Sequence, residues 1–224
     1  MTDAAVLGID WHRRGWVGVL LGRSPLPEIV VGAGLEALVK QAGDLACIGI
    51  DMPIGLPADG EREADTLARA YVGRRRSSVF MTPPRAVLES VTYAEANVIA
   101  PDITGGKKIS QQAWALRQNI ARVARVAAAD RRLIEVHPEV SFRTMAGAEI
   151  LYSKTTWNGQ MLRRRMLAEE GIVLPDELTA GGDIPPADLL DAAAAAWSAR
   201  RYATGVNGSF PADAPRGQHG VIWY

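Results

Sequence analysis

The sequence predicts an α/β fold built on a mixed five-stranded sheet. Two short apolar runs end in the same tripeptide, Gly8-Ile9-Asp10 and Gly49-Ile50-Asp51, and Pro53, Gly55 and Pro57 follow the second run directly. An apolar run bounded by proline and glycine is typical of a strand that is buried on both faces. Segments with helical spacing lie between these strands and close the chain, which is the order of elements found in α/β proteins.

The first quarter of the chain predicts four strands and one helix. Strands are expected over Ala4–Asp10, Trp16–Leu21 and Pro27–Val31, and their short connections make an antiparallel meander. A helix over Gly34–Ala42 then crosses to a fourth strand over Leu45–Ile50. If the first and fourth strands are neighbours, the two aspartates that end them lie side by side.

The rest of the chain predicts helices, one further strand and a tail. We expect a single domain over residues 1–224, with a helical insertion at about 57–110. The expected elements are a helix over Glu61–Val72, partial helix over 85–100, a helix over Gln111–Ala129 capped by Ser110, a strand over Arg132–Val136, a helix over Gly159–Glu170 and a last helix from Pro185-Pro186 to about Ala203. The Gly/Pro-rich tail, Asn207–Tyr224, is expected to lie on the surface.

The composition excludes several classes of protein. The 25 Lys and Arg balance the 25 Asp and Glu, so the chain as a whole has no attraction for nucleic acid or for an anionic membrane. A nucleic-acid function therefore needs local basic patches. The single cysteine, Cys47, lies in an apolar strand and predicts a buried, inert thiol; it also excludes a disulfide framework and a multi-cysteine zinc site.

Neither a membrane segment nor a signal peptide is indicated. No apolar run approaches the roughly 18 residues of a membrane span, and the amino terminus lacks a charged segment followed by an apolar one. We therefore expect a cytoplasmic protein with no membrane partner. The sequence leaves the oligomeric state open.

Acidic residues stand where an α/β sheet binds its ligands. Asp10 and Asp51 end two strands, and ligands of open α/β sheets bind at the carboxyl ends of the strands. In the last helix, Asp188 and Asp191 are three residues apart and share a face. Asp188 lies in the first turn, where the helix dipole favours any carboxylate, so Asp191 is the stronger candidate for a functional role.

The order of the elements and the positions of these acids resemble the ribonuclease H-like superfold. The chain is more specifically similar to the DUF429 family, whose members are predicted ribonuclease H-like nucleases. The segments that carry this resemblance cover most of the chain: Gly8-Ile9-Asp10 with Gly15-Trp16, Ile48 to Pro57, Arg62-x-x-Asp65-x-x-Ala68-Arg69, Arg74 to Phe80 with Pro84-Arg85, Gln111 with Trp114, Glu135 to Phe142, Ser153-Lys154, and Asp188-x-x-Asp191-Ala192.

The resemblance implies a metal site and a reaction. It implies that Asp10 and Asp51 face each other on adjacent strands and that the last helix adds Asp188 or Asp191. Of these two we favour Asp191, and we expect Asp10, Asp51 and Asp191 to hold a divalent cation, with Asp188 and Glu139 in support. Clustered carboxylates repel one another unless a cation neutralises them, and ligand sets of oxygen alone suit Mg²⁺ or Mn²⁺. The expected activity is phosphodiester hydrolysis on nucleic acid or on a phosphorylated small molecule.

Basic residues and one histidine complete the set of candidates. Arg74, Arg75, Arg76 and Arg85 in the insertion are candidates for phosphate binding, because the guanidinium fork contacts two oxygens at once; a solvated charged face is the alternative. His137, beside Glu139, is either a base or substrate contact or a structural imidazole. The run Arg163-Arg164-Arg165 is expected on a solvated helix face.

Two other functions remain open from the sequence. The chain is alternatively a non-catalytic binding or scaffold protein whose acids are structural, and failure to bind Mn²⁺ would favour that interpretation. It is alternatively a nucleotide-binding protein, because actin-like and sugar-kinase ATPases share a ribonuclease H-like core. Their phosphate loops are glycine-rich after the first strand, whereas Trp11 to Arg14 is bulky and basic.

Overall fold

One mixed sheet of five strands forms the centre of the protein. The computed structural model describes residues 5–178 and 182–224. In the sheet, the strands lie in the order β3-β2-β1-β4-β5. The strands are β1 (Val6–His12), β2 (Gly15–Leu21), β3 (Glu28–Gly32), β4 (Cys47–Ile50) and β5 (Leu133–Glu135). The first three pair antiparallel, and β4 pairs parallel with both β1 and β5. The predicted sheet is confirmed, and it is consistent with a ribonuclease H-like fold.

Helices cover both faces of this sheet. They are α1 (Leu35–Ala42), α2 (Glu63–Val72), α3 (Arg85–Leu88), α4 (Tyr93–Thr104), α5 (Gln111–Ala129), α6 (Pro138–Ala146), α7 (Trp157–Glu169) and α8 (Pro186–Thr204), with a 3₁₀ helix over Gly73–Ser78. One buried cluster joins α8, α6 and α7 to the sheet, and a second joins α1 and α5 to the opposite face. Cys47 is fully buried, and burial raises the pKa of its thiol to about 12, as expected of an inert cysteine.

Helix α8 lies unusually close to the two central strands. A Cβ atom added at Gly8 of β1 would fall 1.9 Å from the backbone nitrogen of Ala196 and 2.2 Å from the carbonyl oxygen of Ala192. At Gly49 of β4, it would fall 2.5 Å from the carbonyl oxygen of Ala195. The glycines and the alanine run therefore allow direct contact between the helix backbone and the sheet. This contact brings the first turns of α8 to the strand ends.

The structure moves several of the predicted boundaries. Strand β1 continues to His12, so Trp11 belongs to a β-hairpin rather than to a loop, and Ala4 lies outside the described residues. Helix α6 directly follows β5 and was not predicted from the sequence. It begins with Pro138, which suits the first turn of a helix because that position needs no hydrogen-bond donor. Glu139 is therefore a residue of the first helical turn.

The carboxyl-terminal tail lies at the surface over residues 211–220, as predicted, but the prediction was wrong for the segments on either side of them. The tail forms a second, two-stranded sheet from β6 (Ser209–Phe210) and β7 (Ile222–Trp223), and Trp223 makes an isolated parallel bridge to Val136. Ile222 and Trp223 are both buried. Three apolar residues at the end of a polar segment are too few to predict a buried strand from pattern alone. In the described part of the chain, no helix is long and apolar enough to cross a membrane; the cytoplasmic location stays a prediction.

Candidate metal centre

The parallel pairing of β1 and β4 sets two carboxylates next to each other. Ile9 and Ile50 are register partners, and the backbone N–H of Asp51 donates to the carbonyl oxygen of Ile9 at 3.0 Å. The ladder thus continues for one residue beyond β4. Asp10 and Asp51, each following one of the paired isoleucines, emerge at the same edge of the sheet. Asp191 reaches this edge from the second turn of α8.

Three carboxylates converge at this point. One oxygen each from Asp10, Asp51 and Asp191 lies within 4.8 Å of the other two. Asp10 and Asp191 are buried, and Asp51 is half-buried. The Oδ1 atom of Asp191 is buried and has no hydrogen-bond partner among the described residues. The convergence predicted from the sequence is observed, and the role of these groups as metal ligands stays a prediction.

Burial and mutual repulsion make these carboxylates weak acids for their type. Burial raises the pKa of Asp10 well above its usual value, and the negative charges of Asp51 and Asp191 raise it further. Burial likewise raises the pKa of Asp51 and of Asp191 to about 6, although Lys154 lowers both. The charged form of each carboxyl is therefore disfavoured, and a bound cation would offset the free-energy cost of the negative charges.

Lys154 supplies positive charge at the cluster. Its Nζ donates a hydrogen bond to Oδ2 of Asp191. Burial disfavours its ammonium form, but attraction from Asp191, Asp51 and Asp10 outweighs burial and raises the pKa of Lys154 above its ordinary value. The lysine therefore stays charged and compensates one of the three negative charges.

A buried ion pair supports the loop that carries Lys154. The Nη2 atom of Arg163 lies 2.8 Å from both carboxylate oxygens of Glu139, and its Nη1 donates to the carbonyl oxygens of Tyr152 at 3.2 Å and Gly159 at 3.0 Å. The side chain of Arg163 is fully buried, so its predicted place on a solvated face was wrong. Arg165 of the same run is exposed. The partner of Arg163 is 24 residues away in the sequence, so no local pattern marks it.

A second buried network was missed from the sequence. Arg62 forms ion pairs with both Glu135 and Asp65, and all three side chains are buried. Glu135 also accepts from the backbone N–H of Ile54 at 2.7 Å, and Asp65 accepts from that of Thr82 at 2.7 Å. The network therefore ties the end of β5 to the loop after β4 and to the loop after the 3₁₀ helix. An acid inside the apolar strand of Leu133 to Val136 is the signal that would have found it, because a buried charge needs a partner.

His137 and Asp188 lie beside the acid cluster without joining it. Burial lowers the pKa of His137, and its Nδ1 is buried without a partner among the described residues. Asp188 is half-buried, and burial raises the pKa of its carboxyl. Both residues line the same cavity as the three converging aspartates. Asp191, and not Asp188, is therefore the carboxylate of α8 that converges with Asp10 and Asp51.

The acid cluster lies in a cavity of about 410 Å³. Its lining includes the predicted residues Asp10, Asp51, His137, Glu139, Asp188 and Asp191, together with Arg62, Asp65, Ser77, Ser78, Phe80, Thr82, Gln112, Glu135 and Lys154. The cavity therefore brings together the acidic candidates, the hydroxyls of the 3₁₀ helix and two basic side chains: Lys154, paired with Asp191, and Arg62, paired with Glu135.

The four candidate phosphate-binding arginines lie outside this lining. Arg74 faces Glu149 at 3.5 Å, Arg75 donates to Oγ of Ser153 at 3.1 Å, and Arg76 is exposed. Arg85 lines a separate cavity that also includes Arg117 and Ile120. Arg75 is bonded to the neighbour of Lys154, whereas Arg85 is directed elsewhere. Phosphate binding by these arginines stays a prediction.

Sheet order and acid positions define the class of this protein. It is an α/β protein, consistent with a ribonuclease H-like fold, that carries one carboxylate from each of two central parallel strands and one from its last long helix. A family model described as "Protein of unknown function (DUF429)" matches residues 8–216, which is nearly the whole chain. The chain therefore belongs to the DUF429 family. No curated protein and no solved structure matches it in the corresponding comparisons.

Proposed function

We propose that this protein is a divalent-metal-dependent phosphodiester hydrolase that acts on nucleic acid or on a nucleotide-like substrate. The observation that carries the proposal is the convergence of Asp10, Asp51 and Asp191 within 4.8 Å, with a buried oxygen of Asp191 that has no partner among the described residues. A buried acceptor without a donor is costly, and a cation would satisfy it.

The donor set favours Mg²⁺ or Mn²⁺. Asp10, Asp51 and Asp191 would hold the cation, and all three offer only hard carboxylate oxygens, which Mg²⁺ and Mn²⁺ prefer over softer ligands. When bound at such a site, the cation activates water and stabilises negative charge on phosphoryl oxygens. Raised carboxyl pKa values fit this assignment, because the cluster gains most from a cation when its own charges repel.

Other side chains of the cavity have separate tasks in this proposal. The ammonium of Lys154 lies at the cluster and would bind a phosphoryl oxygen of the substrate. Burial lowers the pKa of His137, and its Nδ1, which has no partner among the described residues, would accept a proton from the attacking water. Ser77 of the 3₁₀ helix lines the same cavity and would donate a hydrogen bond to the phosphate, whereas the hydroxyl of Ser78 donates to the carbonyl oxygen of Arg75 at 2.7 Å. The ion pair of Arg163 with Glu139 would position the lysine loop without contacting substrate.

One contact favours a second candidate, a non-catalytic protein with a structural acid cluster. Because Lys154 already forms an ion pair with Asp191, part of the negative charge is compensated without a metal. On this alternative, the cluster would hold α8 against the sheet and bind no divalent ion. Metal titration separates the two candidates, since only the hydrolase requires Mn²⁺ or Mg²⁺ binding.

The test is hydrolysis by the full chain of bis(p-nitrophenyl) phosphate and of a labelled single-stranded oligonucleotide, in Mn²⁺, in Mg²⁺ and in EDTA. We expect activity with either metal, none in EDTA, and loss of activity in Asp10→Asn and Asp191→Asn. Glu36→Gln is the matched control, because Glu36 is exposed on α1 and away from the cavity. Equal activity in all three variants would identify a contaminating enzyme and overturn the proposal. Absence of metal binding would favour the structural cluster.

A further inference from the structure

A second cavity adjoins the acid-lined one. Its volume is about 370 Å³, and Ser77, Phe80, Thr82 and Gln112 line both cavities. These four residues form a shared wall between the two. Cavities of a few hundred Å³ with apolar walls and few polar groups are typical of small-ligand sites.

The two cavities have opposite chemical character. Apolar walls in the second cavity come from Phe80, Met81, Pro83, Val87 and Ile109. Its charged lining is mostly basic: Arg69, Lys107 and Lys108 against the single acid Glu61. Lys107 is paired with Glu61, whereas Lys108 is exposed and has no salt-bridge partner among the described residues. An apolar and basic cavity beside an acidic metal centre suits a ligand with a flat apolar part and more than one phosphate.

Thr82 points to a ligand at the wall between the cavities. The residue is 2% exposed, and its backbone N–H is held by Asp65 of the buried arginine network at 2.7 Å. Its Oγ1 is buried and has no hydrogen-bond partner among the described residues. A buried hydroxyl without a partner costs free energy, so a ligand group at this wall would be favoured.

We infer that the second cavity binds one unstacked nucleoside of the substrate while the adjoining phosphodiester lies at Asp10, Asp51 and Asp191; this inference rests on the proposed hydrolase function. Phe80 offers an aromatic surface for a base, and Thr82 offers a hydroxyl for its polar edge or for the sugar. Lys107 and Lys108 would contact the next phosphate. A base in a duplex is paired and stacked, so only a single strand, a flipped base or a free nucleotide can enter.

The test is binding of a labelled phosphorothioate oligodeoxythymidine, which resists hydrolysis, to the full chain in Mn²⁺ by fluorescence anisotropy. Phe80→Leu keeps an apolar side chain but removes the aromatic surface, and we expect about tenfold weaker binding, within the range of base–aromatic stacking. Lys108→Ala should make the negative slope of log affinity against log salt shallower by about 0.7, because one phosphate contact is lost. Lys40→Ala is its matched control, because Lys40 is an exposed lysine of α1 outside both cavities.

Thr82→Val tests the inference without disturbing the fold. The substitution is close in shape and removes a hydroxyl that bonds to nothing in the described structure, so the melting temperature should not fall. Binding should weaken about two- to tenfold, as for loss of one hydrogen bond. Unchanged oligonucleotide binding in Thr82→Val, Phe80→Leu and Lys108→Ala together would overturn the inference.

Further arms identify the source of the nucleotide and separate this inference from the proposed function. Tighter binding of the oligomer than of thymidine monophosphate supports a polymer, and equal binding supports a free nucleotide; duplex binding as tight as single-strand binding overturns the inference. If the unaltered chain hydrolyses bis(p-nitrophenyl) phosphate with metal but none of the three substitutions changes oligonucleotide binding, the proposed hydrolase function stands and the nucleoside-binding cavity is refuted. If the substitutions weaken oligonucleotide binding but no substrate is hydrolysed, the nucleoside-binding cavity stands and the proposed hydrolase function is refuted.

Discussion

Replacing Asp191 by Asn should abolish most of the stabilisation that Mn²⁺ gives to the folded protein. The substitution keeps the size of the side chain but removes one of three converging carboxylates, including the buried Oδ1 that has no partner among the described residues. In the absence of metal, two effects oppose each other. Asn removes the cost of burying a charged carboxylate, because burial raises the pKa of Asp191 to about 6, but it loses the ion pair with Lys154. We expect a small net change in the metal-free melting temperature.

The magnitude follows from mass action. Mn²⁺ at a hundred times its dissociation constant stabilises the fold by about 2.7 kcal/mol. In a chain of 224 residues, each kcal/mol shifts the melting temperature by roughly 2–4 °C, so Mn²⁺ should raise it by about 5–11 °C. Loss of a residue that is hydrogen-bonded to a metal ligand costs about 10–100-fold in metal affinity, and loss of a ligand costs at least as much. A hundredfold loss leaves about 0.4 kcal/mol at the same Mn²⁺ concentration, a shift of about 1 °C.

The assay is differential scanning fluorimetry of the full chain with Mn²⁺ and with EDTA. Asp188→Asn is the matched control, because Asp188 lies one turn earlier on the same helix, is half-buried and lines the same cavity without joining the triad. It should keep most of the Mn²⁺ shift. If Asp188→Asn abolished the Mn²⁺ shift and Asp191→Asn kept it, Asp188 rather than Asp191 would be the metal ligand of the helix. A full shift in both variants would refute the three-carboxylate site.

Three further predictions follow from the same contacts. Burial raises the folded-state pKa of Asp51 and Asp191 to about 6, so their contribution to metal-free stability is present below about pH 4 and is lost as the pH rises through 6. The rise in melting temperature caused by Mn²⁺ should grow over the same pH interval. An equal Mn²⁺-induced rise at about pH 4 and above about pH 6 would contradict this. Gly8→Ala should lower the melting temperature by about 2–12 °C or more, because the new methyl group meets the backbone of α8 and overpacking costs about 1–3 kcal/mol or more. Gly182→Ala, whose added methyl group would meet only the carbonyl oxygen of Leu178 at 3.6 Å, is the control in the same fluorimetry. Arg163→Met leaves the buried carboxylate of Glu139 unpaired and should lower the free energy of unfolding in urea by about 3–5 kcal/mol. A loss below about 1 kcal/mol would show that this ion pair does not hold the loop that carries Lys154.

The positions of the two strand acids were predictable from the sequence. An apolar run cut off by proline and glycine marks the end of a buried strand, and this pattern predicted where Asp51 lies. The matching Gly-Ile-Asp of the first run predicted where Asp10 lies, although β1 continues past Asp10 to His12. Helical spacing placed Asp188 and Asp191 on one face, and the position of Asp188 in the first turn favoured Asp191 as the functional acid. These features depend on neighbours within one strand or one turn of helix, and such short-range patterns are what a sequence encodes directly.

Only the tertiary structure decided which charges pair and what surrounds the acids. Arg62 meets Glu135 across 73 residues, and Arg163 meets Glu139 across 24, so neither pair leaves a local pattern, and Arg163 within a basic run was predicted to be solvated. Lys154 reaches Asp191 from a loop, and the buried β7 strand at the end of the tail packs beside β5. The adjoining second cavity also depends on segments far apart in the chain. Burial and ion pairing are properties of the packed chain, because the same side chain is solvated or buried according to what lies opposite it.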